Sequence, residues 1–222
     1  MTLVIEMVSD LVCPWCWLGK RRMDGAIKLV PELDVELIFR PFELDPTIPV
    51  EGVDYKAHMK EKFGSDSGRD RANTMRDALI QYGQEEGIPY QFDRITRRPN
   101  SFNAHRLVRW AQGQQKGAEA KEALFKAYFS DGRDIGETEV LVDIAREINL
   151  DPSIVAELMP TDADVENVRN EEALFQQMGI SGVPTYIAHR RIAVQGAETA
   201  EKLAKFLQHA ATQLPEERPA QG

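Results

Sequence analysis

The stretch LVIEMVSDLVCPWCWLGKRRMDGAIKLV, residues 3–30, decides how this chain is read. Its first part, Leu3–Val8, is apolar and β-branched and has the length of a buried strand. Its last part, Cys13–Val30, repeats Met23, Ala26, Ile27 and Val30 at helical spacing, with Pro14 at the first helical position, where its fixed φ is favourable. At the junction stands Cys13-Pro14-Trp15-Cys16. A two-residue gap places both sulfurs in the first turn of a helix, where free N–H groups and partial positive charge favour a thiolate over a thiol. Cys13, the outer sulfur, is expected to be exposed and nucleophilic. Cys16, one turn in, is expected to be more buried and to act second. Cys13 would attack a substrate disulfide and Cys16 would resolve the mixed disulfide; in reverse, the internal bridge would oxidise a dithiol. The spacing does not choose between oxidant, reductant and isomerase.

Outward from this stretch, Val35–Arg40 alternates and reads as a second strand, completing a βαβ unit whose strands should be parallel. From about residue 55 to 178 only helical periodicity is found, with candidate helices at 55–63, 69–86, 102–115, 118–130, 137–149, 152–158 and 162–178, broken by Gly or Pro. Pro184–Ala188 and Ile192–Gln195 then read as an antiparallel hairpin joined by His189-Arg190-Arg191. A helix over 197–211 closes the pattern, and 214–222 is a polar, Pro-containing tail expected to fray. The expected fold is therefore α/β, a βαβ…ββα core with a large all-helical insertion. The core domain is discontinuous, 1–44 and 179–222, and the insertion domain covers 45–178.

The chain has 222 residues, with 27 basic and 36 acidic side chains, a net charge of −9, and 42% hydrophobic residues. That apolar content excludes a disordered chain, and two Cys exclude a disulfide scaffold. The negative balance argues against a nucleic-acid partner, and no apolar run is long enough to span a bilayer. MTLVIEMVSD lacks a basic leader, so the expected location is the cytoplasm, a reducing compartment in which two Cys do not serve as a structural staple. A Cys-x-x-Cys is also half of a zinc site. No third Cys exists, however, and His58, His105, His189 and His209 are scattered, so no metal is expected.

A second feature is Gly182-Val183-Pro184-Thr185 at the opening of the third strand. Proline is acceptable at a strand's first residue. With a cis Val183–Pro184 bond, the Val183 backbone would face the thiols and pair with an extended substrate.

Several stretches together resemble the thioredoxin superfamily, within it the DsbA-like branch, and most nearly its FrnE-like thiol–disulfide oxidoreductases. They are Cys13-Pro14-Trp15-Cys16-Trp17-Leu18-Gly19, Pro41-Phe42-Glu43-Leu44, Asn100–Arg106, Asp131–Ile135 and Gly179–Thr185. The resemblance implies a thioredoxin-like fold, Cys13 as attacking thiol, Cys16 as resolving thiol and Pro184 as a cis-proline opposite them. It implies protein or small-molecule thiols and disulfides as partners, no tightly bound cofactor beyond the Cys13–Cys16 disulfide, and glutathione as a candidate co-substrate. The same branch includes 2-hydroxychromene-2-carboxylate isomerases and kappa-class glutathione transferases, which carry Ser where Cys13 stands. A glutathione-dependent isomerase or transferase is therefore the alternative enzyme, and a non-catalytic peptide-binding module is the alternative outside enzymes.

The remaining candidates are substrate-binding. Pro14 and Trp15 lie between the sulfurs, with Trp15 expected to be exposed; Val183 and Pro184 lie opposite. His105 and Asn103 fall in a stretch that the resemblance marks, where His105 would stabilise a thiolate. Trp17 is expected to pack. Arg94, Arg97, Arg98, Arg106 and Arg109 read as a solvated basic face. Neither a membrane partner nor a particular oligomeric state follows.

Overall fold

The computed structural model describes residues 2–213, so Met1 and the tail at 214–222 lie outside the described residues. Strand β1 (Leu3–Ser9) leads into helix α1 (Pro14–Leu29) and strand β2 (Val35–Pro41). A helical run follows: α2 (Tyr55–Lys62), α3 (Asp66–Glu86), α4 (Phe102–Gln112), α5 (Gly117–Phe129), α6 (Thr138–Glu147), α7 (Pro152–Leu158) and α8 (Val165–Gln177). The chain closes with β5 (Thr185–Ala188), β6 (Ile192–Gln195) and α9 (Ala200–Thr212). The helical run also holds what periodicity missed, a two-residue ladder of β3 (Val53–Asp54) against β4 (Arg97–Arg98). Two residues are too few to carry a period, and this ladder is anchored by local bonds: Tyr55 N–H to Thr96 O at 3.0 Å and the Asp54 cap on Ala57 N–H at 2.8 Å.

The main sheet has the order β2-β1-β5-β6. β1 and β2 are parallel, with Met7 beside Phe39; β5 is antiparallel to β1, with Met7 beside Tyr186; β5 and β6 form the expected hairpin. Residues from both ends of the chain thus meet in one sheet. Because side chains alternate faces, Leu3, Ile5 and Met7 of β1 join the large core with Met23 and Ala26 of α1 and Leu203 and Leu207 of α9. Val8 and Ile187 point the other way and meet Phe175 of α8 and Phe42. The large core is continuous into the helical run through Leu107 of α4 and Leu124 and Phe125 of α5.

Strand β2 is a sheet edge, and one side chain covers part of it. Gln112 accepts from Phe39 N–H at 2.6 Å and donates to Phe39 O at 3.0 Å, taking both bonds a neighbouring strand would take. Among the described residues no helix is long and apolar enough to cross a membrane.

Candidate active site

Cys13 is the N-cap of α1, with extended backbone angles (φ −101°, ψ 110°), and Pro14 follows as the first helical residue. The turn is held by Cys13 N–H to Asp10 O at 3.2 Å and Cys16 N–H to Cys13 O at 3.0 Å. The two cysteines are not bonded to each other. Cys16 is 0% exposed, as expected, but Cys13 is only 5% exposed, which corrects the expectation of an open outer sulfur. The cover comes from the far end of the chain: the Cys13 thiol donates to the Val183 carbonyl at 3.8 Å. Spacing around residue 13 carries no trace of that loop. The Val183–Pro184 peptide bond is cis.

Helix α1 reaches Pro184 because residue 19 is glycine. A Cβ there would lie 2.3 Å from the Tyr186 hydroxyl and 2.8 Å from Pro184 Cγ, both closer than atoms tolerate. The motif is also fixed from the helical run. The Tyr90 hydroxyl donates to Pro14 O at 2.7 Å, and its ring stacks on Phe92 and meets Trp17 edge-on. Trp17 packs as expected, its indole N–H donating to Glu122 at 3.0 Å. Trp15 is half-buried rather than exposed, because it leans on Tyr82 of α3 at 6.4 Å.

Asp10, whose carbonyl accepts from Cys13 N–H, belongs with His105 and Lys121 to a set of buried polar residues that the sequence pattern does not announce. Asp10 accepts from Leu44 N–H at 2.8 Å and Val12 N–H at 3.3 Å, and its Oδ1 stands 3.6 Å from His105 Nε2. Burial pushes the Asp10 carboxyl up, but the His105 ring, the Arg98 charge and the Leu44 N–H outweigh it and hold the group at about 2. Burial lowers His105, with Asp10 opposing and the Lys121 charge adding to the fall. Burial raises the Cys16 thiol well above its ordinary value, and the neighbouring Cys13 adds to that, so Cys16 is protonated at neutral pH. Lys121 of α5 is 0% exposed, its Nζ between the Phe39 and Phe125 rings at 5.9 and 5.4 Å. Among the described residues Lys121 Nζ and His105 Nε2 have no hydrogen-bond partner.

On α8, Arg169 lies over the Phe102 ring and bonds both Glu43 and Glu172, two carboxylates that are themselves buried. Burial and the Glu43 charge push Glu172 up to about 7 against the pull of Arg169.

The structure therefore gathers Cys13, Cys16, Pro14, Val183 and Pro184, and places His105 against Asp10, the residue whose carbonyl accepts from Cys13 N–H. Asn103 is directed elsewhere, its side-chain oxygen accepting from Arg106 at 2.9 Å. Arg106 also donates to the carbonyls of Leu158, Met159, Thr161 and Ala163, which makes it a buried clasp for the end of α7. Arg98 is buried too, so the basic run is only partly a solvated face. A detectable signal for Lys121 did exist. It occupies the apolar stripe of α5 shared by Gly117, Ala120, Leu124 and Tyr128, where a surface lysine would not fall.

The sequence model described as the DSBA-like thioredoxin domain matches residues 4–208. The chain is 27% identical over 189 residues to the uncharacterized protein YwbO of Bacillus subtilis (strain 168), covering 84% of this chain and 87% of that one. A crystal structure of a probable DsbA oxidoreductase from Streptomyces coelicolor superposes with a TM-score of 0.87 at 28% identity, over 98% of this chain and 93% of that one. The cytosolic disulfide reductase DsbM from Pseudomonas aeruginosa, solved with GSH, shares the fold with a TM-score of 0.65 at 19% identity, over 95% and 100%.

Proposed function

This chain belongs to the DSBA-like thioredoxin domain family, and from that premise we propose that it exchanges disulfides through Cys13 and Cys16. Cys13 attacks a substrate disulfide and Cys16 resolves the mixed disulfide, or the oxidised pair accepts electrons from a substrate dithiol. The observation that carries this reading is the contact between the Cys13 thiol and the Val183 carbonyl beside Pro184, with Cys16 one turn behind. The partner face is then Pro14, Trp15, Val183 and Pro184, with an extended segment pairing along the Val183 backbone. The reading takes glutathione as a small-thiol co-substrate and the cytoplasm as the site of action, in keeping with the description of DsbM as cytosolic and its structure with GSH. It takes the helical segment 45–178 as a roof that narrows the substrate range, since Tyr90 and Tyr82 already touch Pro14 and Trp15. The FrnE-like subgroup belongs to the same proposal.

The test is equilibration of the full chain with glutathione redox buffers, read by Trp fluorescence and thiol trapping. A single two-electron transition that vanishes in Cys13→Ser is expected. Cys16→Ser should accumulate mixed disulfides with glutathione. A wild-type chain that shows no transition, or a Cys16→Ser chain that traps nothing, would remove this reading.

A further inference from the structure

Gln112 covers Phe39 but leaves the earlier part of β2 open. Neighbouring residues of a strand turn their main-chain groups to opposite sides, and the bond from Leu3 N–H to Asp34 O at 2.7 Å fixes which residues of β2 face β1. Val35, Leu37 and Phe39 therefore turn their N–H and C=O groups away from β1, at the rim of the sheet. Gln112 takes the pair on Phe39, and among the described residues nothing takes the pair on Leu37. Beside Leu37 runs an open groove of about 760 Å³, walled by Glu36, Leu37 and Ile38 of β2, by Trp110 and Gln112 of α4 and by Gly117 at the start of α5. The walls are held in place. The Trp110 indole N–H donates to Asp164 at 2.9 Å. A Cβ on residue 117 would stand 2.3 Å from Gln112 Cγ, so glycine there leaves Gln112 its place on the rim. Neither thiol, nor Val183 or Pro184, borders the groove.

We propose that this groove binds an extended polypeptide segment of a partner protein, which adds as a strand along Leu37 and carries a lysine or arginine beside Glu36. The site is separate from the thiols and does not depend on their chemistry. The segment's central residue exchanges both main-chain bonds with Leu37, as the Gln112 amide does with Phe39. Side chains alternate faces, so the two residues flanking the central one fall beside Glu36 and Ile38. The first is basic and the second apolar, two positions apart. Gln112 ends the pairing at Phe39, which keeps the recognised stretch short.

Charge selects this occupant. Of the other charged side chains on the groove, Arg40 is paired with Glu6, and Arg109 with Asp164 and Glu171. Glu36 is exposed and makes no ion pair among the described residues, so the charge left for a ligand is negative. A second copy of the chain fits the rim poorly. Antiparallel pairing of β2 with Leu37 on Leu37 would set Val35 against Phe39, where Gln112 already stands. Pairing Val35 on Leu37 would set Glu36 on Glu36, and pairing Val35 on Val35 would set Glu36 on Asp34. Like charges directly opposite one another destabilise a ladder, and a net charge of −9 on each copy adds to the repulsion.

The experiment titrates the full-length protein against a short fluorescent peptide, free of cysteine and blocked at both ends. The peptide is rich in threonine and valine, with a lysine and an isoleucine two positions apart; a second peptide carries glutamate for the lysine. Anisotropy reads binding. The lysine peptide should bind more tightly than the glutamate peptide. Glu36→Gln should weaken the lysine peptide about fivefold, the upper range for a cross-strand charge pair, and Glu36→Lys should reverse the order of the two peptides. Because Glu36 is exposed, neither change disturbs the core. Methylating the peptide nitrogen midway between the lysine and the isoleucine should abolish binding. In NMR hydrogen exchange the lysine peptide should protect the Leu37 amide and leave Phe39, already bonded, as it was. Cys13→Ser should bind as the wild type does. Absence of binding by the lysine peptide, affinity unchanged in Glu36→Lys, or protection at Val183 in place of Leu37 would overturn the proposal. Protection of Leu37 that grows with protein concentration alone would give the rim to a second copy and overturn it as well.

Discussion

Asp10 Oδ1 and His105 Nε2 lie 3.6 Å apart in a compartment closed to solvent, directly before the turn that carries both thiols. This arrangement ties part of the protein's acid stability to one buried carboxyl. Asp10 is held at about 2 against an ordinary 3.8, so its contribution is fully present above pH 3.8 and is lost as pH falls through about 2. The contribution is about 2 kcal/mol. Urea unfolding of Asp10→Asn should show a lower midpoint at neutral pH and a flatter dependence of stability on pH across that window. An equal slope in wild type and variant would assign the acid response elsewhere.

The two thiols should separate by reactivity. In reduced protein treated with iodoacetamide near neutral pH, mass mapping should find Cys13 modified first, because it stands at the N-cap of the helix and is the less buried of the two, 5% exposed against 0%. Cys16 is fully buried with its thiol raised well above the ordinary range, and should lag by about a hundredfold or more. Equal labelling under native conditions would contradict the geometry.

Gly19→Ala tests the close approach of α1 to the Pro184 strand. The added Cβ meets the Tyr186 hydroxyl and Pro184 Cγ at separations no native contact shows, so something must shift. A loss of about 1–3 kcal/mol is expected, as for other overpacked cores. The urea midpoint checks the loss, and altered NMR shifts at Val183 and Tyr186 locate it. An undisturbed midpoint with undisturbed shifts would mean that the two elements are not tightly apposed.

Glu172→Gln should act in the opposite direction. The wild-type carboxyl is raised from 4.5 to about 7 by burial and by Glu43, so stability falls as pH rises through that interval. The amide cannot ionise, and the variant should lose this decline and gain relative stability near pH 8. The comparison of thermal midpoints at about pH 5 and about pH 8, the two sides of the carboxyl transition, decides it. A variant less stable than wild type at both values would show that the Arg169 bond outweighs the cost of the buried charge.

The order of elements was legible because it is written in local patterns. Leu3–Val8 and Val35–Arg40 are short apolar runs, and Cys13-Pro14-Trp15-Cys16 marks its own helix start. The predicted helices differ from the observed ones by a few residues at their ends, where capping rather than periodicity decides. What stayed hidden was produced by distant segments meeting. The cover over Cys13 comes from Val183, and the support of Pro14 comes from Tyr90. The buried charges were hidden for another reason, since charged residues are ordinarily read as solvated. Lys121 and Glu172 nevertheless sit on apolar helix stripes, Glu172 between Val168 and Phe175. A charge that breaks such a stripe is a usable sign of a polar interior.

The Gln112 side chain that occupies both bonding groups of Phe39 has a consequence for how these molecules meet one another. An uncovered rim of this kind is a template on which foreign chains lengthen the ladder into fibrils. Here a single amide imitates the next strand and ends the ladder at that residue, so growth by templating is blocked there.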